Sequence, residues 1–263
     1  TIEDLEVREP DPEVLLGFLA EMEFRTLTKR VSDQLGVAAP VIVEPAVAEA
    51  EAGAPADVAF DVEAYEHVKD AAGLQEWITK AYQTGWIAVD TETTGLNEMQ
   101  ADLVGVSLCV EAGEACYIPL IHKKGDSDDL FGSDELAEGQ MGLQEALDIL
   151  KPMLEDDSVL KIFQNAKYDC KMFTRYGVNV APLDDTMLMS YAMFAGEHNH
   201  GMDVLSERYL NHVPIPIKSL LGRGKTAITF DKVPVDDAVK YAAEDADITL
   251  RLWKLFKPML HQR

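Results

Sequence analysis

Apolar and polar residues follow two different periods along this chain, and the two periods predict both helices and strands. Between residues 10 and 35 the apolar side chains recur every three or four positions, which is typical of an amphipathic helix. Asp11 and Pro12 suit the start of a helix, and Gly36 suits its end. We therefore predict that residues 1–36 form a helical segment.

A different composition follows at residues 37–59, which are rich in alanine, proline and glutamate and have no aromatic side chain. This composition is typical of a flexible linker, because it offers little apolar surface for packing. The compact domain is therefore expected to span residues 60–263.

From residue 60 onward, strand-like and helix-like segments alternate. The predicted strands are residues 86–91, 103–110, 115–120, 159–163 and 182–185. The predicted helices are residues 72–84, 143–154, 167–176, 186–194, 202–210 and 235–255, the last ending at Pro258. Residues 111–114 suit a hairpin turn, whereas residues 122–139 and 211–234 are expected to be irregular. A hairpin followed by alternating strands and helices predicts an α/β fold, a mixed β-sheet flanked by α-helices.

The composition sets limits on the class of protein. The chain has 263 residues, of which 47% are apolar, so a sizeable core can form. No apolar run reaches the roughly 18–20 residues that cross a bilayer, and the start does not resemble a signal peptide. The three cysteines lack C-x-x-C spacing and are expected to be buried thiols in a reducing compartment. The first residue is not methionine, which suggests a piece of a longer protein.

The charge of the chain is strongly negative, at −24. This argues against a passive nucleic-acid binder, since such domains are usually basic. A metal site built from carboxylates would change that interpretation, because bound cations offset part of the charge. Three short segments, at residues 89–96, 165–169 and 241–247, supply carboxylates for such a site.

Asp90 and Glu92 lie two residues apart at the end of an apolar strand. Side chains alternate along a strand, so both carboxylates are predicted on the face that Trp86 and Ala88 share. Two like charges on one face repel each other unless a cation bridges them. The alternative is an exposed strand end with two solvated acids.

Asp169 is predicted in the first turn of a helix, four residues after Asn165. A carboxylate there is favoured by the helix dipole, so simple capping is an alternative to metal binding. Asn165 is a second candidate cap for the same helix. Lys167 and Lys171 flank Asp169 and are candidates to face a phosphate backbone.

Tyr241 and Asp245 are spaced i and i+4, so a helix places them on one face, one turn apart. Asp247 is displaced by about 200° around the helix and is not expected to share that site. Glu244 is adjacent to Asp245 but points elsewhere. The alternative is that all these acids lie on a solvated helix face.

The order D-x-E, D and Y-x-x-x-D resembles the DEDD exonuclease superfamily in its tyrosine subclass, which has a ribonuclease H-like fold. A closer resemblance covers residues 89–96, 164–169, 185–188, 202–210 and 241–249. These segments resemble the proofreading 3′→5′ exonuclease domain of bacterial DNA polymerase I, from about residue 60 to the C-terminus. Residues 1–35 resemble the tail of the 5′-nuclease domain that precedes it.

The resemblance implies a metal-dependent reaction that releases nucleoside 5′-monophosphates from DNA 3′ ends. It implies two divalent ions, Mg²⁺ or Mn²⁺, with Zn²⁺ an option at the tighter site; oxygen ligands suit Mg²⁺ and Mn²⁺. Asp90 is expected to bridge both ions, Glu92 and Asp245 to complete one site, and Asp169 to serve the other. Tyr241 is expected to orient the attacking water, since a phenol with a pKa near 10 is a poor general base at neutral pH.

Further residues match family positions that contact the substrate: Leu96, Gln164, Asn165, Tyr168 and Met202. Leu96 is expected to wedge against the terminal bases. The resemblance places Ile217 where relatives can carry a stacking aromatic, with Phe230 nearby but offset. An aliphatic residue there would reduce single-strand affinity, because base–aromatic stacking contributes about 1–3 kcal/mol per base.

The resemblance also implies the partners of this chain. These are a single-stranded or frayed DNA 3′ end, and the polymerase and 5′-nuclease domains of the same full-length chain. A cytoplasmic, nucleoid-associated monomer with no membrane contact is expected. Two other functions remain open: an RNA-trimming exonuclease of the ribonuclease D type, and a non-catalytic scaffold domain of a polymerase. Residues 1–35 argue against the first, and the four acids argue against the second.

Overall fold

The computed structural model describes residues 10–22, 24–38, 58–124 and 135–260. The chain separates into two compact units, Thr1–Glu51 and Ala52–Arg263, and each is described by itself. Most of the predicted linker, residues 39–57, lies outside the described residues.

The first unit contains two helices, α1 (Pro12–Glu21) and α2 (Arg25–Leu35). The carboxylate of Asp11 caps α1 by accepting from the backbone N–H groups of residues 13 and 14, at 2.9 and 3.3 Å. Gly36 ends α2 with a φ of 64°, as predicted for a glycine C-cap. The helical prediction for residues 10–35 is confirmed for Pro12–Glu21 and Arg25–Leu35, and the backbone of Phe24, with a ψ of 58°, is not helical.

The second unit is built on a mixed sheet. Its described strands are β1 (Glu66–His67), β2 (Trp86–Thr93), β3 (Leu103–Glu111), β4 (Glu114–Pro119), β5 (Leu160–Phe163) and β6 (Leu183–Asp185). They lie in the order β1-β4-β3-β2-β5-β6. The β2–β3 and β3–β4 pairs are antiparallel, and the other pairs are parallel. The predicted α/β class, with a hairpin inside a mixed sheet, is confirmed.

Helices flank this sheet. They are α3 (Ala71–Thr84), α4 (Leu143–Leu154), α5 (Ala166–Arg175), α6 (Thr186–Phe194), α7 (Met202–Leu205), α8 (Ile217–Leu221) and α9 (Val235–Leu260). Within the described ranges, no helix is both long enough and apolar enough to cross a bilayer.

Three boundary predictions need correction. The predicted helix at residues 202–210 is α7 followed by a π-helical turn, Ser206–Leu210. The region predicted as irregular at residues 211–234 contains α8 and the 3₁₀ turns Gly224–Thr226 and Phe230–Lys232. The predicted stop at Pro258 is also wrong, because α9 continues to Leu260.

Pro258 lies inside α9, two residues before its end. A proline inside a helix removes one backbone hydrogen bond and crowds the preceding turn. Here Met259 and Leu260 pack against a buried cluster that includes Phe256 and Leu255. The burial of these apolar side chains favours the continuation of the helix.

The two faces of the sheet have separate cores. Ile87 and Val89 of β2 point to the face covered by α3 and α4. Ala88 and the partly buried Trp86 point to the opposite face, which α9 covers with a row of small residues that includes Ala242 and Ala246. The predicted alternation of side chains along β2 is therefore confirmed. The face that carries Trp86 and Ala88 is the one that α9 covers.

Candidate active site

Carboxylates from β2 and α9 meet at the end of the sheet. Asp90, Glu92 and Asp245 each present a carboxylate oxygen, and these three oxygens lie within 4.8 Å of one another. Asp169 of α5 and Tyr241 of α9 line the same cavity. The structure thus brings together the five residues that the sequence analysis selected as catalytic candidates.

Glu92 lies opposite Gly105 in the β2–β3 ladder. A Cβ atom at Gly105 would lie 2.1 Å from the hydroxyl oxygen of Tyr117, so only glycine allows the Tyr117 ring to lie across β3. A glycine within a strand often marks such a close approach, and this signal was available in the sequence. The buried Tyr117 ring therefore lies close to Glu92, whose charge helps to raise the pKa of the Tyr117 phenol.

His122 fixes the orientation of Tyr117. Its Nδ1 lies 3.0 Å from the carbonyl oxygen of Val233, which can only accept, so Nδ1 carries the proton. Its Nε2 then accepts a hydrogen bond from the Tyr117 hydroxyl at 2.9 Å. Burial lowers the pKa of His122 to about 4, so the imidazole is neutral at pH 7. Neither residue belongs to the acidic segments, so neither was predicted from the sequence.

The carboxylate of Asp169 reaches from the first turn of α5 to β2. One of its oxygens accepts hydrogen bonds from the Thr91 N–H at 3.1 Å and from the Thr91 hydroxyl at 2.6 Å. A position in the first helical turn alone therefore does not describe its role. Thr91 lies between Asp90 and Glu92, so this contact ties α5 directly to the acidic end of β2.

Asp185 supplies the cap of α5 instead. Its carboxylate accepts from the backbone N–H groups of Asn165 and Ala166, at 3.1 and 2.9 Å. It also caps α6 by accepting from the N–H groups of residues 187 and 188, at 2.9 and 3.2 Å. Asn165 occupies the N-cap position with a φ of 68° but makes no side-chain cap bond, so that prediction is also wrong.

The acids of α9 that lie off the Tyr241–Asp245 face are buried elsewhere. Glu244 accepts from the His212 imidazole at 2.8 Å and from a backbone N–H at 2.7 Å. Asp247 pairs with Arg251 at 2.8 Å. The alternative of a solvated acidic helix face is therefore wrong for Glu244, Asp245 and Asp247, which are all buried.

Burial dominates the electrostatics of the cluster. It raises the pKa of Asp90 to about 7. Burial, reinforced by the charges of neighbouring carboxylates, raises the pKa of Glu92, Asp169 and Asp245 well above the usual range. Four ionised acids are unfavourable in this space without a cation. The donors are all carboxylate oxygens, so the site fits divalent ions such as Mg²⁺ or Mn²⁺.

Tyr241 is protonated in this environment. Burial raises the pKa of its phenol, and the charge of Asp245 raises it further. The hydroxyl is within hydrogen-bonding reach of Asp245, and this contact favours the ionised form of that carboxylate. Tyr241 is therefore suited to donate a hydrogen bond and to orient a group, and it is unsuited to act as a base.

The acids lie in a cavity of about 450 Å³. Four of the predicted substrate residues line it: Leu96, Gln164, Asn165 and Tyr168. The fifth, Met202, does not line it, and packs instead against the buried cluster around Phe256. Gln164 donates to the carbonyl oxygen of His200 at 2.9 Å, so its amide is already engaged within the protein.

The segment before α9 also lines the cavity. Ile217 and Phe230 both line the cavity. The Phe230 ring is buried, and its centroid lies 5.9 Å from that of Tyr241. Ile217 therefore lies in the cavity, and Phe230 adds a buried aromatic ring that packs beside Tyr241.

The mixed sheet and the buried acid cluster together define a ribonuclease H-like exonuclease fold. Residues 65–261 match the 3′-5′ exonuclease family, and the chain belongs to this family. Among solved structures, NrnC of Brucella melitensis is similar with a TM-score of 0.51 and 22% identity, over 69% of this chain and 76% of NrnC. This likeness supports the fold.

Sequence relatives agree with the family. DNA polymerase I of Rhizobium leguminosarum is 45% identical over 267 aligned residues, which cover 98% of this chain and 26% of the relative. DNA polymerase I of Pseudomonas aeruginosa is 38% identical over 254 residues, covering 95% of this chain and 26% of the relative. The chain therefore spans about a quarter of the length of these relatives.

Proposed function

We propose that this chain hydrolyses the terminal phosphodiester bond at the 3′ end of a DNA strand and releases a nucleoside 5′-monophosphate. The observation that carries the proposal is the meeting of Asp90, Glu92 and Asp245 within 4.8 Å, beside Asp169 and Tyr241. Membership of the 3′-5′ exonuclease family supports the direction of the reaction.

Two divalent ions are part of this proposal. Asp90, Glu92 and Asp245 would hold one ion, and Asp90 and Asp169 would hold the second. When bound, such ions supply charge stabilisation for the attacking and leaving oxygens of an in-line displacement. The raised pKa of Asp90, which follows from burial, supports this assignment, because a cation offsets the cost of ionising the cluster.

The protein side chains position the reacting groups. Tyr241 is protonated and donates to Asp245, and its hydroxyl oxygen orients the attacking water by accepting a hydrogen bond from it. The water oxygen forms a new bond to phosphorus, and the bond from phosphorus to the 3′ oxygen of the preceding nucleotide breaks. The shortened strand keeps a 3′ hydroxyl. Asn165 and Tyr168, which line the cavity, are assigned to the terminal nucleotide.

The larger assembly is also a proposal. The relatives are about four times longer than this chain, and they are DNA polymerases I. We assign this piece to the proofreading step, in which a frayed 3′ end leaves a polymerase domain of the same full-length chain. Residues 1–36 are assigned as the tail of a preceding 5′-nuclease domain and residues 37–59 as a linker. The protein is proposed to be a monomer that works in the cytoplasm.

A strand-shortening assay tests the proposal. A 5′-labelled single-stranded DNA is incubated with the 263-residue chain and Mn²⁺, and the products are separated at single-nucleotide resolution. We expect a ladder that shortens one nucleotide at a time, and no ladder with a chelator. Asp90→Asn should abolish the ladder, and the exposed Asp157→Asn, outside the cavity, should leave it unchanged.

The same assay distinguishes the other functions. A matched RNA strand that shortens faster than the DNA strand would favour a ribonuclease. Absence of shortening on either strand by a folded protein, with Mg²⁺ and with Mn²⁺, would favour a scaffold role. Either outcome would contradict the proposed activity on DNA.

A further inference from the structure

The loop that joins β2 to β3, residues 94–102, carries an exposed apolar side chain at the mouth of the cavity. Leu96 lies at the tip of this 94–102 loop and is 94% exposed. The loop begins immediately after the segment that holds Asp90 and Glu92. A side chain with so few contacts of its own depends on the loop backbone for its position.

Three side chains on one face of α5 hold this backbone. Tyr168, Lys171 and Arg175 are spaced by three and four residues, so they lie on one face of the helix. The Tyr168 hydroxyl donates to the carbonyl oxygen of Gly95 at 2.5 Å. Lys171 forms an ion pair with Glu98, with Nζ 2.7 Å from Oε1.

Arg175 completes the set of contacts. Its Nη1 donates to the carbonyl oxygen of Glu98 at 2.9 Å, and also to the carbonyl oxygen of Ala101. The contacts thus reach loop positions 95, 98 and 101 in turn. Inside the loop, the N–H groups of Gln100 and Ala101 donate to the Asn97 carbonyl oxygen, at 2.9 and 2.8 Å.

The opposite face of the same helix is buried and carries Asp169. Asp169 is tied to Thr91 of β2 through two hydrogen bonds. The helix therefore connects the acid cluster on one face with the 94–102 loop on the other. Any shift of the loop away from α5 would move Leu96 relative to the acids.

We propose that Lys171, Glu98 and Arg175 are positioning residues that hold Leu96 against the last base pair of a duplex 3′ end. This inference rests on the proposed exonuclease function. A paired end must open before its last nucleotide reaches the acids, and a firmly held apolar wedge favours the open form. A single strand has no pair to open, so the contacts matter less there.

A ratio of rates tests this proposal. Release of the last nucleotide is measured under single-turnover conditions on a single-stranded 3′ end and on a blunt duplex end of the same sequence. Lys171→Met and Glu98→Gln should each lower the duplex rate by about two- to fivefold, as expected for one exposed ion pair, and leave the single-strand rate unchanged. The charge-exchanged variant Glu98→Lys/Lys171→Glu should restore most of the duplex rate.

The Glu98 variant separates this role from phosphate binding. If Lys171 instead contacts a backbone phosphate, Glu98→Gln frees it and raises the rates, while Lys171→Met lowers both rates equally. That pattern, or an unchanged ratio in both variants, would overturn the proposal. Lys80→Met is the matched control, because Lys80 forms an exposed pair with Glu114 at 3.4 Å and does not line the cavity.

Hydrogen exchange provides a readout that does not depend on activity. In Lys171→Met the amides of Gln100 and Ala101 should exchange faster than in the wild-type chain, whereas Lys80→Met should not change them. Unchanged exchange would overturn the proposal. An inactive wild-type chain would contradict the proposed exonuclease function. The hydrogen-exchange result would then still show whether Lys171 holds the 94–102 loop in place.

Discussion

Replacing Asp90 with asparagine should stabilise the metal-free protein, even though it should abolish the reaction. The carboxylate lies in a cluster where burial raises the pKa of Asp90 from 3.8 to about 7. The folded state therefore binds the proton more tightly than the unfolded state. The contribution of the protonated Asp90 carboxyl to the free energy of unfolding is complete below pH 3.8, and it is lost as the pH rises through about 7.

The magnitude follows from the size of this shift. One pKa unit corresponds to about 1.4 kcal/mol, so the ionised Asp90 costs the folded state about 4 kcal/mol at pH 8. At pH 5 the corresponding cost is only about 2 kcal/mol, because the folded carboxyl is still protonated there. Asp90→Asn removes the ionised group, so its stabilisation should be larger at pH 8 than at pH 5.

Urea unfolding followed by tryptophan fluorescence measures this effect. The three tryptophans, Trp77, Trp86 and Trp253, all lie in the second unit, so the signal reports on the unit that holds the acids. The experiment is done with a chelator at pH 5 and pH 8. The exposed Asp157→Asn is the matched control.

Two results would refute this reasoning. One is an Asp90→Asn variant that is no more stable than the wild-type chain at pH 8. The other is a gain that is equal at both pH values, or that Asp157→Asn reproduces. Either would mean that the cluster does not carry the electrostatic cost assigned to it.

Further predictions concern the groups around the cluster. Tyr241→Phe should lower kcat by about tenfold to a hundredfold, because the attacking water is misplaced. A calorimetric titration should show unchanged Mn²⁺ affinity, and a loss of affinity that matches the loss of kcat would contradict this prediction. Gly105→Ala should lower the free energy of unfolding by about 1–3 kcal/mol, because the new Cβ meets Tyr117, and Gly73→Ala, whose nearest contact would be 3.5 Å away, should not. Asp185→Ala should cost about 2 kcal/mol in urea unfolding, since it uncaps two helices; a loss below 0.5 kcal/mol would count against the double cap. Mn²⁺ at about a hundred times its Kd should stabilise the wild-type chain by about 2.7 kcal/mol, and thermal unfolding of Asp90→Asn should show no such gain.

Local periodicity predicted the parts of the site that depend on one element. The period of two along β2 placed Asp90 and Glu92 on one face, and the spacing of four along α9 placed Tyr241 and Asp245 on one face. The structure agrees with both placements. A strand and a helix impose these directions on their side chains whatever the rest of the fold does.

Contacts between distant segments were not predictable in the same way. Thr91 and Asp169 are 78 residues apart in sequence, and their hydrogen bond depends on how α5 packs against β2. The same holds for the Asp185 cap. There the local sequence offered a nearer candidate, Asn165, and the tertiary structure selected Asp185.

Element boundaries show a similar limit. The predicted bounds of α4 and α6 match the structure. The π-helical turn after α7 was not predicted, because its apolar positions also fit an ordinary helix. The continuation of α9 through Pro258 depends on burial against neighbouring helices, which a proline rule applied to the sequence alone does not include.

The central claim is that the acid cluster directs water to the last phosphodiester bond at a DNA 3′ end. The most direct test is digestion of a single-stranded DNA in ¹⁸O-labelled water with Mn²⁺, followed by mass spectrometry of the products. We expect nucleoside 5′-monophosphates that carry one ¹⁸O in the phosphate, and a shortened strand that ends in a 3′ hydroxyl. Nucleoside 3′-monophosphates, internal fragments, or an intact strand in the presence of folded protein would contradict it.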